Sequence, residues 1–274
     1  MWRGAIAITF LMAFFAAELF AADADVPHKM LALANEERSS MNLPPVVFDE
    51  SLAAVARAHS ADMLANSFFA HESPTTGTPA DRVASAKIAV QTQGENIAMG
   101  LTPEICHTNL MNSPPHRAAI LGEYTHCGVG FVEAPNGMLY ITQLFATLPP
   151  AVDFANAKAE IVRGINERRA SAEAPPLAAN EKLNELADRY ALAMAKAGKS
   201  FSPKSLNADI RARGVRMKSA GIASFRTWNP VDICDTDVWH TLRRAQIGIG
   251  LAKNTEHKEL GYGIIWTVVI FANE

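Results

Sequence analysis

Two tandem copies of one α/β domain, each an antiparallel sheet flanked by helices, are predicted by three features of the sequence. The chain has 274 residues, beyond the usual size of a single domain. A set of short motifs occurs twice at a near-constant spacing. Within each copy, apolar stripes of helical period come first and short strand-like runs come last.

The repeat is the firmest of the three. Asn35-Glu36-Glu37-Arg38, Pro44-Pro45, Leu52, Ala56 and Met63 recur at an offset of 131 as Asn166-Glu167-Arg168-Arg169, Pro175-Pro176, Leu183, Ala187 and Met194. The copies also end alike. Gly128-Val129-Gly130 matches Gly248-Ile249-Gly250, and Leu144-Phe145-Ala146 matches Ile270-Phe271-Ala272, at offsets of 120 and then 126. The second copy has therefore lost residues in its middle. Pro149-Pro150 stops the closing strand of the first copy, giving predicted domains at 28–148 and 153–274.

In the first copy, His28 to Met41 and Glu50 to Asn66 read as helices separated by Pro44-Pro45. Leu52, Val55, Ala56, His59 and Met63 fall along one stripe of the second, and Asp49 suits its N-cap. Thr78-Pro79 and Thr102-Pro103-Glu104 open two further helices, each with proline at its preferred first position. Strands follow at Gly128 to Glu133 and Met138 to Thr147, joined by a Pro135-Asn136-Gly137 turn.

Composition narrows the function classes. A net charge of −3 and the lack of any Lys/Arg run argue against a nucleic-acid partner. No Gly-x-Ser-x-Gly elbow, His-Glu-x-x-His, phosphate-binding loop or dinucleotide fingerprint is present. Arg3, the apolar run Ala5 to Ala17 and the A-x-A site Ala22-Asp23-Ala24 predict a signal peptide over residues 1–24. Export to the periplasm or the exterior follows, with no membrane span after cleavage. That compartment permits a disulfide, and Cys106 and Cys127 form the pair within one domain. Buried free thiols are the alternative, and Cys234 is left over in either case.

Three motifs of the first copy carry the candidate chemistry. Phe68-Phe69-Ala70-His71 places a histidine just after a helix. Gly94-Glu95-Asn96 places a carboxylate at a glycine-led turn entering an apolar segment. Ser113-Pro114-Pro115-His116-Arg117 places a second histidine after a proline-broken helix. In this order, followed by Gly128-Val129-Gly130 and Gln143-Leu144-Phe145, the chain resembles the bacterial branch of the CAP superfamily. That family is also called SCP-like and includes sperm-coating proteins, antigen 5 and plant pathogenesis-related proteins. The resemblance covers about Met30 to Thr147 well and the second copy only at its outer elements. It implies an α-β-α sandwich whose central cleft, here His71, Glu95 and His116, is lined by histidines and acids and in many relatives binds a divalent metal such as zinc. The chain departs from the family where Met111-Asn112-Ser113 lacks a further acid and where Pro115 replaces a usual glycine.

Read from the residues themselves, His71 and His116 are candidate metal ligands, since two imidazoles and a carboxylate suit zinc. Without metal, the same groups form an acid–base pair; as purely structural residues, they would tie loops together. The sequence shows no activated nucleophile and no positioned orienting group. The preferred expectation is an exported binding module for a divalent metal, a small ligand or a protein partner. The rival is a metal-assisted or acid–base hydrolase of peptide or cell-wall material. The second copy has Tyr190 in place of His59 and none of the three motifs, so it is expected to keep the fold and lose the cleft.

Overall fold

A computed structural model describes residues 26–236, 239 and 245–273; the predicted signal peptide lies outside them. The chain divides into two compact units, one holding residues 26–88 and 92–148, the other 89–91 and 149–273.

In the first unit, helix α1 (Val26–Ser40) is followed by the two-residue strand β1 (Val47–Phe48) and helix α2 (Glu50–Ala65). Asp49 caps α2 by accepting the Leu52 N–H. Helix α3 (Pro79–Ser85) starts at a capping box in which the Thr78 and Asp81 side chains accept each other's backbone N–H groups. Strand β2 (Thr92–Gly100), helices α4 (Pro103–Met111) and α5 (Pro114–Ile120), and strands β3 (His126–Glu133) and β4 (Leu139–Thr147) complete it. The sheet order is β1-β3-β4-β2. Pairing is antiparallel except for the short β1, which runs parallel to β3. Strand β2 is an edge strand.

Two elements differ from the sequence expectation. Gly94-Glu95-Asn96 lies within β2 and is not a turn. A Cβ at Gly94 would press on the Tyr124 hydroxyl, so the glycine makes room for a neighbouring ring and does not turn the backbone. His116 does not trail a broken helix; it belongs to its own short helix, α5, which begins at Pro114.

The sheet is packed on both faces. Beneath one face lies a core of Met30, Ala34, Cys106, Leu110, Ile120, Val129 and Phe145 from α1, α4, α5 and the strands. Against the other lies α2, which touches β3 so closely that no side chain fits between them. A Cβ on Gly128 would overlap the backbone of Leu52 and Ala53, and one on Gly130 that of Ala56 and Arg57. Arg38 of α1 is buried without a carboxylate partner. Its guanidinium donates to the carbonyls of Pro44, Ile120 and Gly122 at 2.8–2.9 Å, pinning the loop after α1 to the end of α5 and the segment that follows it.

The second unit repeats this frame with α6 (Phe154–Ser171), β5 (Ala178–Ala179), α7 (Glu181–Ala197), α8 (Leu206–Ala212), β6 (Ser219–Thr227), β7 (Ala245–Lys253) and β8 (Ile265–Asn273). Its sheet order β5-β7-β8-β6 matches that of the first. Gly248 and Gly250 meet the backbone of Leu183 and Ala187, and buried Arg169 donates to the carbonyls of Pro175 and Trp239. The shortened middle of the repeat has a 3-10 turn, Pro230–Asp235, where the first unit has α4 and α5.

All three cysteines are buried free thiols, so Cys106 and Cys127 are not bridged. Burial pushes the Cys106 thiol up to about 11 and Cys127 higher still. No helix among the described residues is long and apolar enough to cross a membrane.

Replacing Gly130 by alanine drives a methyl group into the α2 backbone, which cannot withdraw without lifting the helix. Gly130→Ala is expected to cost about 3 kcal/mol, read as a lowered urea midpoint; an unchanged midpoint would contradict the close contact.

Candidate functional site

Helix α2 ends at Asn66 and delivers the chain into a loop carrying His71. That loop is tied back onto α2. Asp62 accepts from the Ser73 hydroxyl at 2.5 Å and the Thr75 hydroxyl at 3.0 Å, and Ser73 and Gly77 exchange backbone hydrogen bonds. The Ser73 bond, more than the Thr75 and Asn66 bonds, holds the Asp62 carboxyl below its usual range. The His59 Nε2–H donates to the Ala70 carbonyl at 3.1 Å, fixing the residue just before His71.

Glu95 rises from β2 into this loop with its side chain only 2% exposed. A buried carboxylate needs compensation on both oxygens. Its Oε1 accepts from His71 Nδ1 at 2.9 Å and its Oε2 from Arg82 at 2.6 Å. Arg82 comes from α3, and its other terminal nitrogen donates to the carbonyls of His71 and Gly77. The arginine thus neutralises Glu95 and holds the His71 loop in one stroke. With its Nδ1 proton directed at Glu95, His71 turns Nε2 outward, and its side chain remains 47% exposed.

His116 arrives from the other side of the edge strand. Successive residues of β2 face opposite ways, so Asn96 points away from Glu95, and its amide donates to the His116 carbonyl at 3.1 Å. The imidazoles of His71 and His116 stand 6.4 Å apart between ring centroids. His71 and Glu95 are therefore in contact, and His116 is their neighbour across an open gap. Among the described residues, no group of three or more His, Cys, Asp or Glu is arranged to hold a metal ion.

His59 is fully buried, 4.0 Å from Glu95. Burial, reinforced by the Arg82 charge, lowers its pKa despite the attraction of Glu95. Its role is that of a neutral hydrogen-bond donor rather than an ion-pair partner. Sequence reasoning missed Arg82, since a lone arginine on a short helix has no signature. The available signal was Glu95 itself: a carboxylate entering the apolar run Ile97-Ala98 implies a cation nearby. It missed equally that Glu95 orients an imidazole.

In the second unit, three of these groups, Glu95, Arg82 and His59, have identifiable counterparts. The register pairs Glu95 with Leu144 and Ile222 with Ile270, equivalent positions of the repeat. Ile222 thus occupies the place of Glu95. Arg82 and Asp209 share the fourth position of their seven-residue helices, and Tyr190 stands for His59. Among the described residues the acid and the arginine of the first cleft have no polar equivalent pair here, and a hollow of about 290 Å³ lies beside Ile222.

The model of the family described as CAP, the cysteine-rich secretory protein family, matches residues 31–145 and 162–236. The chain belongs to this family. Among CAP relatives, the uncharacterized YkwD of Bacillus subtilis is 46% identical over 108 residues, covering 39% of this chain and 42% of YkwD. An extracellular protein containing a SCP domain from Bacillus anthracis is 36% identical, with a TM-score of 0.42, over 45% of this chain and 41% of that one. An outer surface protein of Borrelia burgdorferi is 20% identical, with a TM-score of 0.41, over 43% of this chain and 89% of that one. The matched region spans less than half the length of the first two.

Because the folded pKa of His59 lies below its ordinary value, the unfolded chain binds the extra proton. Stability is then complete above about pH 6.5 and declines as pH falls below it. Buried His107 is shifted the same way by burial. His59→Gln is expected to remove part of the loss in urea midpoint between pH 7 and pH 5, leaving the His107 share; an identical pH profile in the variant would contradict the assignment.

Proposed function

We propose that this chain is an exported CAP-family binding module whose first unit presents His71, Glu95 and His116 to a divalent metal ion such as zinc, or to a small ligand. Export rests on the predicted signal peptide. The observation that carries the binding reading is the His71–Glu95–Arg82 chain. A carboxylate fixed by a guanidinium fixes one imidazole, whose remaining nitrogen faces the gap beside a second imidazole.

The donor set decides what each residue would do for a metal. Both Glu95 oxygens are engaged, so Glu95 serves as the outer partner that orients a ligating histidine. His71 and His116 would be the direct ligands. Two imidazoles on one tetrahedral zinc at about 2.1 Å would bring their ring centroids to roughly 5.3 Å, so the two rings, 6.4 Å apart here, would have to close by about 1 Å to share a metal. Two protein ligands are fewer than a structural zinc site uses. The metal would therefore be exchangeable, with the remaining positions left to water or to the ligand. Its chemistry there would be to bind and polarise an oxygen atom.

One observation favours the hydrolase as a second reading. Glu95 bonded to Nδ1 of His71 is the geometry in which a carboxylate orients a general base. Among the described residues, no nucleophilic side chain stands beside His71 in the hydrogen-bonded network, so a water molecule would have to serve.

Zinc titration by calorimetry tests the first reading. His71→Ala and His116→Ala are each expected to weaken binding at least tenfold, with folding unchanged by circular dichroism. Wild-type protein that takes up no zinc, or variants that bind it equally well, would count against the site. Cleavage of a peptide library by wild type and not by Glu95→Ala would favour the hydrolase instead.

A further inference from the structure

The hollow of the second unit has its own chemistry. It is lined by the apolar side chains of Met194, Phe201, Ile222 and Ala223 and by Ser200, Ser202 and Ser224. Among the described residues, no charged side chain lines it. Its volume of about 290 Å³ lies at the lower end of the range for small-molecule sites, about 300–1,000 Å³.

Its aromatic wall is held in place by a relay. Arg189 pairs with Asp209 at 3.2 Å. Asp209 also accepts from the Tyr190 hydroxyl at 2.5 Å and the Ser205 hydroxyl at 2.7 Å, and these bonds lower its carboxyl to about 2. Tyr190, so anchored, meets Phe201 edge-on with centroids 6.5 Å apart. Phe201 keeps 37% of its surface exposed. Ser224 donates to the Ser200 hydroxyl at 3.1 Å, which ties together the two segments that line the hollow and leaves Ser200 a proton to donate onward.

We propose that the second unit's hollow, between Phe201, Ile222 and the Ser200–Ser224 pair, is a binding site for a neutral monosaccharide unit. An uncharged lining excludes ionic ligands, since nothing there would compensate their desolvation. A purely apolar ligand would cover the Ser202 hydroxyl and the unused Ser200 proton without offering them a partner. A sugar ring satisfies both constraints: its C–H face covers an aromatic ring while its hydroxyls exchange hydrogen bonds with serines. An aromatic wall fixed before the ligand arrives reduces the ordering cost of binding. The site lies in the other unit from His71 and uses none of its residues, so it stands or falls independently of the first cleft.

Saturation-transfer NMR on the full chain, with glucose and N-acetylglucosamine as probes, tests it. Transfer to the ring protons of at least one sugar is expected in wild type and in His71→Ala. At least a fivefold reduction is expected in Phe201→Ala and in Ser200→Ala, two substitutions at exposed positions. Three results would overturn it: no transfer in wild type, transfer that survives both substitutions, or benzyl alcohol held in the hollow and not displaced by either sugar.

Discussion

The rest of each unit depends on the contact between one helix and the glycine-bearing strand beneath it. In the first unit, α2 rests on the bare backbone of Gly128 and Gly130, at a distance that any side chain would increase. This fixes the height of α2 above the sheet and therefore the point at which its C-terminal end releases the chain. Ser60 of the same helix hydrogen-bonds Thr142 of the sheet at 2.9 Å, which limits sliding along the strands. The His71 loop begins within two turns of Ser60, so the geometry of the cleft follows from the packing.

The two units show how one frame supports different chemistry. In the first, a buried acid is tolerated because Arg82 neutralises it and His71 occupies its other oxygen. Removing the acid makes the arginine a liability, and in the second unit the equivalent positions are Ile222 and Asp209. Tyr190 then gives Asp209 a hydrogen bond from its hydroxyl. The three replacements form a consistent set, as expected when buried polar groups must be satisfied together.

Much of the fold is legible in the sequence, for physical reasons. Proline at the first helical position, Thr78, Asp49 and Thr102 as caps, and the helical stripe from Leu52 to Met63 are local signals that the packing does not override. Gly94 misleads because a strand glycine that admits a neighbouring ring looks the same in sequence as a turn glycine; only Tyr124, thirty residues away, tells them apart. The pairing of β1 with β3 is invisible, because a two-residue strand has no periodicity. At the site, the histidines and the carboxylate can be named from their motifs. Arg82 cannot, since the need it answers exists only once Glu95 is buried.

The unbridged thiols have a consequence for how this chain matures. A fold closed by glycine contacts and by arginines on backbone carbonyls needs no oxidant to assemble. The hazard falls earlier. While the chain is unfolded, Cys106, Cys127 and Cys234 are all accessible at their ordinary acidity, and any bridge formed then would have to be undone before the interior could close. Rapid burial is the protection, and the same desolvation that makes the finished thiols inert is what removes them from competing chemistry.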